Sequence, residues 1–297
     1  MILIVGEILF DLFPESKQMG GAPFNFAFHL KKLGFPVRFF SRIGQDDLGS
    51  QVLEFLQTHG FDTDDIQVDP EYPTGTVQVS KTPEGHSFSI LPDTAWSRIA
   101  FDQRMSQALA SGCDLIYLGS LLQYNTHGRH LADRIMEQRS DQARLFCDIN
   151  LRPGFYRIKT IMTWLPRVNL LKLSQEEAVE VLGVPPAAHG LENSIRQLMG
   201  GHGIELVLLT LGEKGSRVFL PDQTIDCRAT PVGPIVDTVG AGDAYAAVFA
   251  AGFLSKLPVG KTMALAADFS GQICTLTGAI PEDERLYRKI RQEMEKK

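Results

Sequence analysis

Residues 22–60 read APFNFAFHLKKLGFPVRFFSRIGQDDLGSQVLEFLQTHG, a stretch in which the hydrophobic period changes twice. APFNFAFHLKKLG carries apolar residues at helical spacing, with Pro23 near its start and Gly34 just past its end, the usual asymmetry of helix termini. VRFFSRIG is short, aromatic and β-rich. LGSQVLEFLQTHG returns to the helical period.

The same alternation extends in both directions. ILIV precedes the stretch, and DLIYLG, ARLFCDIN, VNLLKLS, ELVLLTLG and SRVFLP follow it as further strands, with helical segments between several of them. Strands separated by helices imply a mostly parallel sheet covered on both faces. No repeat, low-complexity tract or long linker divides residues 1–297, so a single α/β domain is expected. Two segments break the pattern, ILFDLFPE within residues 8–16 and TGTVQVSKTPEGHSFSILPD at residues 74–93. Both resemble antiparallel strand material, the second turning at Pro83, Glu84 and Gly85, and together they predict a small sheet standing as a lid over a site at the carboxyl ends of the parallel strands. Decorative surface strands are the alternative. The apolar–polar alternation of TGTVQVS and HSFSIL further predicts that two such lids pair, making a homodimer.

Composition narrows the partners. The chain is 44% hydrophobic and 22% charged, ordinary globular values, and its formal charge is −6. A nucleic-acid partner is not expected, because phosphate contacts need a basic face. Cys113, Cys147, Cys227 and Cys274 stand far apart without a CxxC pair, which signals neither zinc nor a disulfide framework. The apolar start is interrupted by Glu7 and Asp11 and has no basic leader, and AYAAVFAAGFL is too short to span a bilayer. A cytoplasmic protein without membrane contact is expected.

The chemistry concentrates in DTVGAGDAYAAVFAAGF, residues 237–253. A glycine turn opening a helix leaves backbone N–H groups without intrahelical partners, and the helix dipole adds positive charge there. Gly240 and Gly242 would let a bound phosphate approach the backbone. Asp243 stands out, since a carboxylate beside an anion hole repels the anion. Two readings stay open for it: a general base taking a proton from an attacking hydroxyl, or a helix cap. GAGDAY does not complete a dinucleotide fingerprint, because Tyr245 occupies the third glycine position. VGKT at 259–262 lacks the first glycine of a phosphate loop, with Ser255 in its place, and reads as a helix start.

These motifs, DTVGAGD together with GGAPFNFAFHLKKLG and IGQDDLG between Gly20 and Gly49, resemble the two signatures of the PfkB (ribokinase-like) family of carbohydrate kinases. The resemblance runs from GEILFD to GQICTLTGA. It implies a ribokinase-like fold and an ATP-dependent sugar kinase using Mg2+. Asp243 would be the catalytic base, with the amides of Gly240, Ala241 and Gly242 around the transferring phosphoryl group. Asp11, Gly20, Gly21 and Asn25 would contact the sugar, and Asn150 and Arg152, in CDINLRPGFY, would join them. Asp46 would be the acid of the N-terminal signature, with Asp47 as the alternative and a helix cap as the plainer role of either.

On the nucleotide side, Thr210, Gly212 and Gly215 resemble the family's T-x-G-x-x-G turn, and Gly278 and Ala279 would lie near the adenine. A plain turn between strands is the alternative for these glycines. LKLSQEE resembles the N-x-x-E motif that organises magnesium and phosphate, with Glu177 kept and Ser174 in place of Asn. Asp237 and Val239 lie where relatives bind a monovalent cation, K+. The GEILFD, GGAPFN and CDINLRPGFY segments are most similar to bacterial fructokinases, so fructose is the first substrate expected. A 2-keto-3-deoxygluconate kinase, a ribokinase or a nucleoside kinase are the alternatives within the family, and a non-catalytic sugar- or nucleotide-binding regulator is the alternative outside it. SFSILPDTAWS offers no arginine for a keto-acid carboxylate and instead shows Asp93.

Overall fold

The computed structural model describes residues 1–82, 85–185, 188–281 and 283–296. Thirteen strands are present among them: β1 Ile2–Val5, β2 Leu9–Leu12, β3 Lys17–Gly20, β4 Val37–Gly44, β5 Ile66–Asp69, β6 Gly75–Thr82, β7 Gly85–Ile90, β8 Leu115–Gly119, β9 Arg144–Asp148, β10 Leu170–Ser174, β11 Leu206–Thr210, β12 Ser216–Phe219 and β13 Thr224–Cys227. The α-helices are α1 Ala22–Lys32, α2 Asp47–Thr58, α3 Gln103–Ala110, α4 Thr126–Gln138, α5 Ile158–Trp164, α6 Gln175–Leu182, α7 Ala188–His202, α8 Ala241–Leu254, α9 Val259–Ile273 and α10 Glu284–Glu295.

Nine strands form the main sheet in the order β13-β12-β11-β10-β9-β8-β1-β4-β5. It is parallel from β11 to β5, and β12 and β13 close one edge as an antiparallel pair. The strands are apolar on both sides because each side is covered. Ile2 and Ile4 of β1 join the core beneath α1, α8, α9 and α10, whereas Leu3 and Val5 join the core beneath α3, α4, α5, α6 and α7. The first helix ends as its sequence predicts, with proline in its first turn and Gly34 left-handed beyond its last residue.

A separate four-stranded sheet, β3-β2-β6-β7, makes the expected lid, with two differences from expectation. β2 pairs with β6 in parallel, not antiparallel, because the chain reaches β6 through β4, α2 and β5 and not through a hairpin. β3 has no apolar alternation to announce it, yet it pairs antiparallel with β2 and brings Gly20 opposite Leu9. The expected turn at Pro83 and Glu84 lies outside the described residues.

Several apolar residues of the lid are covered within the single chain. Leu9, Val77 and Val79 share one face of the lid and are each 4% exposed, and Phe10, on the opposite face, is 4% exposed because it packs into the core shared with α1 and α8. The root of the lid is tied down by Asp46, which caps α2 through Gly49 N–H at 2.7 Å and accepts from the Thr74 N–H at 2.8 Å and hydroxyl at 2.7 Å. Asp46 is therefore both the cap and a strut to β6, while Asp47 is the first residue of the helix. Among the described residues no helix is long and apolar enough to cross a membrane.

Candidate active site

Gly240 stands at the start of α8 with φ 76°, a left-handed conformation that costs a residue with a side chain energy. A Cβ there would also collide with Ala279. The turn presents the first amides of α8, and those of Gly242 and Asp243 have no intrahelical carbonyl to bond. The Ala241 N–H makes a long 3.3 Å bond to Thr238 O, so it is partly committed. Behind the turn α8 is buried from Ala244 to Gly252, and Tyr245 bonds Ser216 through its hydroxyl at 2.7 Å. VGKT begins α9, as expected.

Asp243 is the third residue of α8 and makes no capping bond; Gly240 is the N-cap residue. Its Oδ2 instead accepts a 2.8 Å hydrogen bond from Asn25 Nδ2 on α1. The same turn lines a cavity of about 680 Å³ together with Glu7, Asp11, Gly21, Asn25, Asn150 and Arg152, beneath Leu9, Val77 and Ile90 of the lid. Gly21, at φ 113°, lets α1 begin against the Glu7 carbonyl, where a Cβ would stand 2.6 Å from that oxygen. Gly20 similarly leaves room for the Asp11 carboxylate. Asn150 takes φ 38° just beyond β9, turning the chain so that Asn150 and Arg152 face the cavity.

The cavity is rich in acids held away from water. Burial pushes Glu7 up to about 8 and Asp11 up to about 6. Burial, with Asp148 adding to it, pushes Asp243 up to about 6, against the pull of Lys172, Asn25 and Arg152. The Arg152 charge opposes the push at all three acids. Asp93, expected to make the lid acidic, does not line this cavity; its carboxylate faces Arg98 at 3.7 Å, and Arg98 stacks on Tyr72.

Of the remaining candidates Val239 lines the cavity, and the others sit beside it. Ser174 and Thr210 end β10 and β11 in register with each other. Gly212 and Gly215 make the turn from β11 to β12. Ser174 caps α6 in a reciprocal box: its hydroxyl accepts from Glu177 N–H at 3.1 Å, and Glu177 Oε2 accepts from Ser174 N–H at 2.7 Å. Glu177 Oε1 accepts from Leu151 N–H at 2.7 Å, so this carboxylate braces the loop that carries Asn150 and Arg152. Asp237 accepts from Val239 N–H at 3.0 Å and Gly278 N–H at 3.1 Å, joining the turn before α8 to the segment that packs on Gly240. No cluster of three or more His, Cys, Asp or Glu side chains suited to a metal occurs among the described residues.

Glu7, Asp148 and Lys172 were not among the sequence candidates. The signal was available: a lysine inside LLKLS and an aspartate ending RLFCD are charges within strands buried on both faces.

A doubly covered parallel sheet with a small separate β lid is the ribokinase-like fold. The description "pfkB family carbohydrate kinase" matches residues 13–285, and the chain belongs to that family as an ATP-dependent sugar kinase. It is 27% identical to an uncharacterized sugar kinase of Pyrococcus horikoshii over 98% of this chain and 97% of that one. It is 26% identical to a fructokinase of Rhizobium leguminosarum bv. trifolii over 86% of this chain and 79% of that one. The structure of a fructokinase of Xylella fastidiosa with bound ATP superposes with TM-score 0.85 at 20% identity, covering 98% of each chain.

Proposed function

We propose that the chain transfers the γ-phosphoryl group of ATP to the primary hydroxyl of D-fructose, giving fructose 6-phosphate and ADP. The observation that carries this reading is the placing of Asp243, a half-buried carboxylate aimed by Asn25, at the amide end of α8 on the floor of a polar cavity. Asp243 accepts the hydroxyl proton as the sugar oxygen attacks, and the amides of Gly240, Ala241, Gly242 and Asp243 take up the charge on the phosphoryl oxygens.

Asp11, Gly20, Gly21, Asn25, Asn150 and Arg152 hold the sugar. Asn25 Oδ1 is buried without a protein partner, which suits it to accept from a sugar hydroxyl. The charge balance favours a neutral sugar: of the two cations lining the cavity, Lys172 is bound to Asp148, and Arg152 faces Glu7, Asp11 and Asp243. Similarity to the Rhizobium fructokinase is consistent with fructose, and a 2-dehydro-3-deoxygluconokinase of Thermoproteus tenax is similar at the same 26% identity, so the choice between the two sugars rests on the charge balance of the cavity.

ATP lies along Thr210, Gly212, Gly215 and Gly278. Glu177 spends an oxygen on each of two backbone amides and would hold Mg2+ only through water, and the ion when bound neutralises phosphate oxygens. Asp237 and Val239 are the residues that would hold K+.

A coupled ADP-release assay over fructose, ribose, 2-keto-3-deoxygluconate and nucleosides tests the assignment. The highest kcat/KM is expected with fructose. A higher value with the keto acid would contradict the substrate. Sugar binding by calorimetry with no ADP release from any substrate would establish the binding-only alternative.

A further inference from the structure

A second charged layer lies beneath Asp243. Lys172 and Asp148 are partners in register on β10 and β9. Lys172 Nζ donates to both Asp148 oxygens, at 2.8 and 2.9 Å, and Tyr117 Oη, from β8, donates to Asp148 Oδ2 at 3.3 Å. Three neighbouring strands thus each supply one polar group where such strands are otherwise apolar. Lys172 is 6% exposed, and Asp148 and Tyr117 are fully buried. The ammonium nevertheless reaches the cavity wall: a Cβ on Gly242 would stand 3.9 Å from Nζ.

Stability alone is a poor reason for this arrangement. A buried ion pair often holds a fold no better than apolar side chains of similar volume, because desolvating two charges costs as much as their attraction returns. Its location is more telling, because the pair lies under the one helix turn that carries the candidate base.

We propose that the Lys172–Asp148 pair is a positioning element for the proton-transfer step, which fixes the charge beneath the catalytic turn and thereby sets the protonation of Asp243. This rests on the reading of Asp243 as the base. Every element packed around Asp243 contributes: the Asn25 amide from α1, Glu7 after β1, Tyr117 from β8, Asp148 from β9, Arg152 after β9 and Lys172 from β10. Asp148 disfavours ionised Asp243 and outweighs Lys172, which favours it, as Asn25 and Arg152 do. Burial lowers the Lys172 value, but Asp148, then Glu177 and Asp243, more than offset this, and the ammonium is held above its ordinary value. Tyr117 stays protonated, since burial, then Asp148 and Asp243, push it well above its ordinary value.

The test is the acid limb of the kcat/KM–pH profile with ATP and fructose. Lys172→Met should move the limb up by about half a pH unit and restore activity at alkaline pH; Asp148→Asn should move it down by about one unit. Shifts of opposite sign are the signature, because a merely structural pair would lower thermal stability and turnover in both variants without moving either limb. Unmoved limbs, or limbs moving the same way, would overturn the proposal. Should a lone buried charge prevent either single variant from folding, Asp148→Asn with Lys172→Met leaves no lone charge. Its limb should fall below wild type, because the push removed exceeds the pull, and an unmoved limb would overturn the proposal equally. Asp243→Asn separates this inference from the reading beneath it. Full turnover in that variant removes the base itself, whereas loss of turnover there combined with unmoved limbs rejects only the role of the pair.

Discussion

Asn25 donates a 2.8 Å hydrogen bond from its side-chain amide to the Asp243 carboxylate, joining α1 to α8 across 218 positions of sequence. One face of the amide orients the base, and the other, Asn25 Oδ1, is left buried without a protein partner. The first consequence concerns that bond. Asn25→Ala should lower kcat about 10–100-fold and move the acid limb to higher pH, since the bond favours ionised Asp243. A pH–rate profile that superposes on wild type after scaling would contradict the aiming role.

Wild-type activity should have an acid limb near pH 6, the value to which burial, first, and Asp148, second, push Asp243. The base works deprotonated, so kcat/KM should rise through this pH and level off above it. A limb near 4, the ordinary range of an exposed carboxylate, would show that Asp243 does not govern it.

Glu7 should leave a mark on stability. Burial lifts its native value from 4.5 to about 8, so between those pH values the folded chain binds more protons than the unfolded one. Its contribution is fully present below 4.5 and is lost as pH rises through about 8. Asp11, lifted from 3.8 to about 6, acts with the same sign over a lower window. Glu7→Gln should therefore gain thermal stability relative to wild type as pH increases from 5 to 8.5, in melts followed by circular dichroism. A difference that does not change with pH would refute the buried-acid account.

Gly240→Ala should cost about 2 kcal/mol or more of unfolding free energy in a denaturant titration, combining a left-handed residue with a clash on Ala279. Adding Ala279→Gly should recover part of the loss by removing the clash but not the backbone strain. Full recovery, or none, would show that only one of these two causes operates.

Much of the architecture was legible because its signals are local. The change of period between residues 22 and 60, and the glycine turn before α8, each write a helix or a strand into a few neighbouring residues. What escaped is what depends on distant pairing. β3 has little strand pattern of its own and exists because β2 lies beside it; the parallel β2–β6 pairing follows from the route of the chain; and Phe10 is covered by a core assembled from later helices. The site divides in the same way. Asp243 could be singled out within its turn, but its choice between cap and cavity depends on Asn25, two hundred residues earlier. Lys172 and Asp148 become meaningful only once β9 and β10 are neighbours. The Ser174 replacement, odd as a motif, is ordinary as structure, since serine completes the capping box with Glu177.

The central claim is that Asp243 is the proton acceptor in phosphoryl transfer, and kcat of Asp243→Asn with ATP and fructose tests it most directly. The substitution keeps the start of α8 and its amides while removing the proton acceptor. A folded variant that still binds ATP, with kcat lower by about 10²–10⁴-fold, is the predicted result. A folded variant with near wild-type kcat would contradict it.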